Sequence, residues 1–178
     1  MAGSTLIRKF ERAAAWLDDG SGRFSSLAGD VNEIELPELS WDVVEHETIA
    51  LIGTPEFPGR LEAMEMTIKW AGWSDELAAA AADPFNATKL QIRANIAEYR
   101  GSSKAGDRSL IYRISGRFKT NTLGTFSPGE MERESMMSVD SITEIYEGET
   151  LLEVSISPPV YRVRGRDLLA DSRRNLGL

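Results

Sequence analysis

Apolar and polar side chains alternate with a period of two along most of this chain. In "RLEAMEMTIKW", Met64, Met66, Ile68 and Trp70 fall on one side and Ala63, Glu65, Thr67 and Lys69 on the other. "KLQIRANIAEY" sets Leu90, Ile92, Ala94 and Ile96 against Gln91, Arg93 and Asn95. "SLIYRISGRFK" sets Leu110, Tyr112, Ile114 and Phe118 against Arg113, Ser115 and Arg117, and "TLLEVSIS" sets Leu152, Val154 and Ile156 against Glu153, Ser155 and Ser157. Successive strand side chains point to opposite faces, so each stretch predicts a strand with one face on a core and one in water. The chain reads as mainly β.

The punctuation between these stretches agrees. "LDDGSG" predicts a turn after Trp16, "SPGE" a type II turn, and "IYEGETLLEV" a hairpin turning at Glu147–Gly148. "RGSSKAGDR" reads as a hairpin tip between two strands. One helix interrupts the strands: Ser74 or Asp75 caps it, Glu76 suits its positive end, alanines favour it and Pro84 stops it. A second, roughly Asp167 to Asn175, carries Arg173 and Arg174 at its negative end and lies between Gly165 and Gly177. A helix of about ten residues is marginal alone in water, so it must dock. Leu168, Leu169 and Leu176 are its apolar contacts, and Arg162, Arg164, Arg166, Arg173 and Arg174 are placed to reach acidic neighbours. Two docking surfaces stand open, its own subunit or a partner.

"WDVVEHETIALIGTPEFPG" breaks the pattern. Trp41, Val43 and Val44 mix with Asp42 and Glu45, and Ile49, Leu51 and Ile52 then precede a Thr-Pro-Glu-Phe-Pro-Gly loop. Two prolines exclude a central strand there. Apolar residues on a projecting loop, including Phe57, mark an interface. Residues 41–59 are therefore predicted to reach a neighbouring copy.

Composition narrows the class. At 178 residues with 42% hydrophobic and 27% charged, the chain makes one globular domain over 1–178. No apolar run approaches the length that spans a membrane, and the first twenty residues lack the core of a signal peptide. The absence of cysteine removes disulfides and thiolate sites and fits folding in the cytosol. The net charge is −8, and acids crowd residues 30–65 with only Arg60 against them. That sign argues against sequence-reading of nucleic acid.

Candidate chemistry is sparse. The single histidine, His46, lies between Glu45 and Glu47 with no partner set for a serine–histidine–acid relay. "DVNEIE" lacks the spacing of a calcium loop, and neither "GTPEFPG" nor "GSSKAGD" has phosphate-loop spacing. Carboxylates are too abundant for any pair to point to glycoside cleavage. Trp16, Trp41, Trp70 and Trp73 form a sugar-stacking platform only if they gather, and Trp70 reads as core. No catalytic, cofactor or metal residue is assigned.

The order of features resembles the major tail tube protein family of contractile-tailed phages and phage-tail-like bacteriocins. The likeness rests on "LAGDVNEIELPELSWDVVEHE", "GRLEAMEMTIKWAGW", "IYRISGRFKTNTLGTFSPGEMERESMMSV" and, most specifically, "ITEIYEGETLLEVSISPPVYRVRGRDLLADSRRNLGL". It departs at "SPPVY", where two prolines stand in place of apolar residues. The resemblance implies a non-enzymatic β-sandwich or barrel subunit with a flanking helix and a helix within 166–178. It implies hexameric rings stacked into a tube inside a sheath. About four strands from each of six subunits, at ~4.8 Å spacing and ~40° tilt, close a circle about 45–50 Å across. Glu65, Thr67, Lys69, Glu153 and Ser155 are then candidates to face a lumen, which the acidic run makes net negative. The implied partners are further copies, the sheath, baseplate and terminator proteins, a tape measure protein inside the tube, and DNA as non-specific cargo. Neither a cofactor nor membrane binding is implied, and the place is the virion tail, assembled in host cytoplasm. Rival readings are a type VI secretion-like ring carrying effectors and a carbohydrate-binding β-sandwich.

Overall fold

The structure is a computed structural model and describes residues 5–18, 21–46, 52–128 and 130–177. In chain order it contains β1 (Leu6–Asp18), β2 (Phe24–Ser26), β3 (Val31–Glu35), β4 (Trp41–Glu45), β5 (Glu56–Leu61) and β6 (Met64–Trp70). After these come α1 (Asp75–Ala82), β7 (Thr88–Arg100), β8 (Ser103–Asn121), β9 (Thr125–Ser127), β10 (Glu130–Glu132) and β11 (Glu134–Tyr146). The chain finishes with β12 (Glu149–Ser155), β13 (Val160–Val163), β14 (Arg166–Asp167) and α2 (Ala170–Leu176).

One antiparallel sheet dominates, in the order β14-β13-β12-β11-β8-β7-β1-β2. It branches at β11. The first half of that strand pairs with β6 and the second half with β12, while β3 pairs with the far side of β6. Two small hairpins, β9–β10 and β4–β5, stand apart from it. The expected barrel does not close among the described residues. The β1 edge is paired by β2 only from Trp16 to Asp18, and β3 pairs only with β6.

The core follows the alternation. Met64, Met66 and Ile68 are fully buried and Trp70 nearly so, facing Leu90, Ile114, Phe118, Met137, Val139 and Val154. Helix α1 adds Leu77 and Ala81, and the Ser74 hydroxyl caps it by accepting from the Leu77 amide at 3.3 Å. In β7 the phase slips: Ala97 is buried where continued alternation would bury Ile96, and Glu98 is buried beside it. The tip read from "RGSSKAGDR" is also smaller than expected. Only Gly101 and Ser102 turn, and residues 104–107 continue as strand against Tyr99, Glu98 and Ala97.

Two glycines answer to geometry. Glu147 and Gly148 both take positive φ, 50° and 83°, which makes the predicted tight hairpin between β11 and β12. At Gly116, a Cβ would lie 2.1 Å from the Ser138 carbonyl oxygen, because β11 bulges between Val139 and Ser141 and presses its backbone onto β8. The β9–β10 pair confirms a reversal at "SPGE", though Gly129 lies outside the described residues. The two prolines of "SPPVY" fall in the turn that carries β12 back into β13.

Candidate assembly surfaces

At the two ends of residues 41–59, β4 and β5 pair as a hairpin arm, more regular than the loop expected. Trp41 pairs with Leu61, Val43 with Pro58, Val44 with Phe57 and Glu45 with Glu56. Pro58 therefore sits inside a strand, which is tolerated because a two-stranded arm leaves one edge of each strand unpaired. The root is anchored where Trp41 packs edge-on to Tyr161 at 5.3 Å. Beyond the root, Val43, Val44 and Phe57 are each more than half exposed, and Ile52 is fully exposed. His46 lies edge-on to Phe57, an apolar contact and no relay. Ile49 and Leu51 lie outside the described residues.

The C-terminal segment is tied down by charge more than by its leucines. Arg162 bridges Glu153 at 2.9 Å and Asp167 at 3.5 Å. Arg173 also binds Asp167 and donates to the Pro159 carbonyl at 2.8 Å. Chiefly through Arg173, this holds the Asp167 carboxyl below the usual carboxylate range. Helix α2 starts at Ala170, three residues later than expected, because Asp167 belongs to β14 and its carboxylate accepts from the Leu169 amide. Leu169 is partly buried, whereas Leu168 and Leu176 are exposed, as are Arg164 and Arg166. Among the described residues Arg174 pairs only with the exposed Asp171.

Glu65, Thr67, Lys69, Glu153 and Ser155 share one face of the sheet. Glu65 pairs across to Ser138, Thr67 to Met136, Glu153 to Thr143 and Ser155 to Ser141, all on the side of β11 away from the core. Three acids of the 30–65 run, Glu33, Glu35 and Glu65, stand on this face, each matched by a lysine. Lys69 binds Glu33 and Glu35 at 3.2 and 2.9 Å, Lys119 binds Glu65, and Arg117 reaches Asp140 at 3.4 Å. Lys89 and Arg113 stand on it without a carboxylate partner among the described residues. The face is a mosaic of both signs. Part of the acidic run, Asp42, Glu45 and Glu56, lies instead on the β4–β5 arm.

Three arrangements escaped the sequence reading. Glu98 is buried between Arg8 at 2.9 Å and Arg108 at 3.2 Å, and hydrogen bonding from Arg8 lowers its pKa against the effect of burial. Arg133 is buried against the Trp70 ring, 4.1 Å from its centre, while the Trp70 indole donates to Ser135. The four tryptophans do not gather in one place: Trp16 packs on Arg93 and Trp41 on Tyr161, while buried Trp70 and exposed Trp73 lie 6.4 Å apart with Arg133 against both rings. The third arrangement is a groove of about 710 Å³ between the open edges of β1 and β3. Phe10, Ala13, Ile34, Leu36, Ile92 and Leu110 line it. Tyr112 also lines it, donates to Glu144 at 3.2 Å, and has its pKa pushed up to about 12, mainly by burial. Long-range closure brings these strands together, and local patterning carries no sign of it. Among the described residues no cluster of histidine, aspartate and glutamate has the arrangement to hold a metal, and no helix is long and apolar enough to cross a membrane.

Solved chains of this fold come from contractile injection systems. A chain from the sheath-tube complex of PVC, an extracellular contractile injection system, in its extended state shares the fold at a TM-score of 0.52 and 12% identity. That alignment covers 75% of this chain and 87% of the other. A chain from the PVC sheath/tube terminator in its extended state aligns at a TM-score of 0.50 and 12% identity, covering 75% and 92%. No curated protein matches the sequence. The family model of phage tail tube protein FII matches residues 12–177, from the middle of β1 through the end of α2. The chain belongs to the phage tail tube protein FII family.

Proposed function

We propose that this protein is the structural subunit of the inner tube of a contractile phage tail or related particle, and that it has no enzymatic role. Copies assemble into hexameric rings, and the rings stack. The observation that carries the reading is the β4–β5 hairpin, an apolar arm left uncovered by a chain of this family. A two-stranded hairpin is marginal in water, and exposed Val43, Val44 and Phe57 need a protein surface. The partly unpaired β1 edge makes the same demand, since an open strand edge left in water invites uncontrolled pairing.

The mosaic face with Glu65, Thr67, Lys69, Glu153 and Ser155 lines the channel in this reading. Interleaved charges give no continuous cationic track, so DNA passes as non-specific cargo without being gripped. Leu168, Leu169 and Leu176 become buried at contacts between copies or with the sheath, the tail terminator and the baseplate. A tape measure protein occupies the bore before DNA does, and the tube belongs to the virion after assembly in the host cytoplasm. Electron microscopy of the purified protein tests this directly. Six-fold rings or hollow tubes are expected. A protein that stays monomeric at high concentration and is absent from purified particles refutes the reading.

A further inference from the structure

We propose that the polar face of the sheet carries a phosphate-binding hollow built from Lys89, Arg113, Ser115, Ser141 and Thr143. It takes one phosphate group, from a nucleic-acid backbone or free in solution. The hollow belongs to the folded subunit, and only its use inside a channel rests on the tube reading.

Strand register gathers these side chains from three strands. Lys89 pairs with Ser115 and Ser115 with Ser141, which makes one row across β7, β8 and β11. In the next row on the same face, Gln91 pairs with Arg113 and Arg113 with Thr143. Directly opposed residues stand about 4.5–5.5 Å apart and diagonal ones about 7–8 Å, within reach of long side chains. The two rows border a hollow of about 150 Å³, which Phe24 of β2 also lines. Sites for drug-sized ligands run to about 300–1,000 Å³, so this one suits a small ion or a single group.

Charge sets the hollow apart from the rest of the face. Lys69, Lys119, Arg117 and Arg162 each hold a carboxylate. Lys89 and Arg113 hold none among the described residues, and the hydroxyls of Ser115, Ser141 and Thr143 have no hydrogen-bond partner there. The neighbouring acids are engaged: Glu153 by Arg162 at 2.9 Å, Asp140 by Arg117 at 3.4 Å, and Asp18 by the Gly22 amide at 3.0 Å. Arg93, further along β7, lies over Trp16, donates to Gln91 at 3.1 Å and does not line the hollow.

The donor set selects the ligand. Lysine and arginine supply the charge, the arginine fork matches two oxygens, and three hydroxyls donate to the others. A phosphate has oxygens for all of them, whereas a carboxylate has only two. Contacts to nucleic-acid backbones draw on this same mixture of arginine, lysine, serine and threonine. The net charge of −8 does not forbid binding. At 0.1 M salt, exposed charges more than about 10 Å away are largely screened, so the local pair decides. In a tube the hollow recurs once per subunit as an isolated point of attraction. Paired carboxylates between such points prevent a continuous grip.

Phosphorus NMR of inorganic phosphate mixed with the full chain tests the site. Saturable line broadening is expected, weakened about tenfold in Lys89→Gln/Arg113→Gln, the loss of one charge-assisted contact. Both residues are exposed, so this variant should melt with the wild type. Arg60→Gln/Arg100→Gln removes the same charge from other exposed positions and should bind as wild type does. A short DNA duplex, followed by fluorescence anisotropy, distinguishes the two sources. A salt slope lower by about 1 in Lys89→Gln/Arg113→Gln supports the nucleic-acid backbone, and phosphate binding without that change supports the free ion. Absence of saturable broadening in the wild type overturns the proposal, as does equal weakening in both variants. So does polyglutamate that binds more tightly than the duplex and is lost with Lys89 and Arg113. Phosphate bound by a protein that never forms rings or tubes keeps the hollow and removes the tube. Tubes whose subunits ignore phosphate do the reverse.

Discussion

Strand β6, "MEMTIKW", and strand β4, "WDVVE", both carry large apolar side chains, yet they meet opposite fates. Met64, Met66, Ile68 and Trp70 are buried, while Val43 and Val44 are more than half exposed. The difference lies in neighbours and phase. β6 alternates strictly and is paired on both sides, by β3 and β11, so its apolar row meets the rest of the core. β4 places two valines in succession, one on each face, and pairs only with β5. Apolar residues in β6 therefore hold the subunit together, and those in the arm are free to hold copies together.

The comparison breaks hardest at Gly116. Replacing it with valine forces a side chain into the Ser138 carbonyl, and we expect loss of the cooperative melt, with at least about 1–3 kcal/mol lost from overpacking alone. A sharp melt at the wild-type temperature would remove the bulge from the account. Next is Met66→Ala, which empties a fully buried position and should cost about 2–5 kcal/mol by denaturant unfolding. Its counterpart, Val44→Ser with Phe57→Ser, should stay within about 0.5 kcal/mol per site by the same measurement. Light scattering should nevertheless show that this second variant no longer assembles.

A smaller effect sharpens the contrast by pH. Glu98 has a lowered pKa in the folded state, so its ionised form adds stability above the ordinary glutamate range near about 4.3. That contribution disappears as pH falls through the lowered folded value. Wild type should therefore melt higher than Glu98→Gln at pH 7, with the gap closing below about pH 4. A gap independent of pH would assign Glu98 a packing role only. The smallest expected effect concerns the tail. Arg173→Gln loses the Asp167 pair and the Pro159 carbonyl and should lower the melting temperature measurably, whereas Arg174→Gln breaks one exposed pair and should not.

The legible parts of this molecule are those with local causes. The faces of β6, β8 and β12, the cap at Ser74 and the turn at Glu147–Gly148 each follow from residues close in sequence. The site was legible in outline only. Exposed apolar side chains in residues 41–59 were legible, but the pairing of β4 with β5 as a hairpin tolerating Pro58 was hidden by those same prolines. In the tail the short helix was legible, whereas Asp167 proved to be a strand residue that anchors Arg162 and Arg173. For Glu98, adjacency in sequence carried no sign of its partners, since Arg8 lies ninety positions away.

By itself, the sequence determined that this is a mainly β chain whose alternating rows build one core, because side-chain direction along a strand alternates with every residue. Its order of features also carried the tube family. Tertiary structure alone decided which strand edges remain open and where the acids go. Register and branching at β11 leave β1 and β3 facing each other across a groove, and pairing brings Lys69 and Lys119 to the carboxylates of β3 and β6. Those outcomes depend on contacts between residues far apart in the chain, and only closure of the fold brings such residues together.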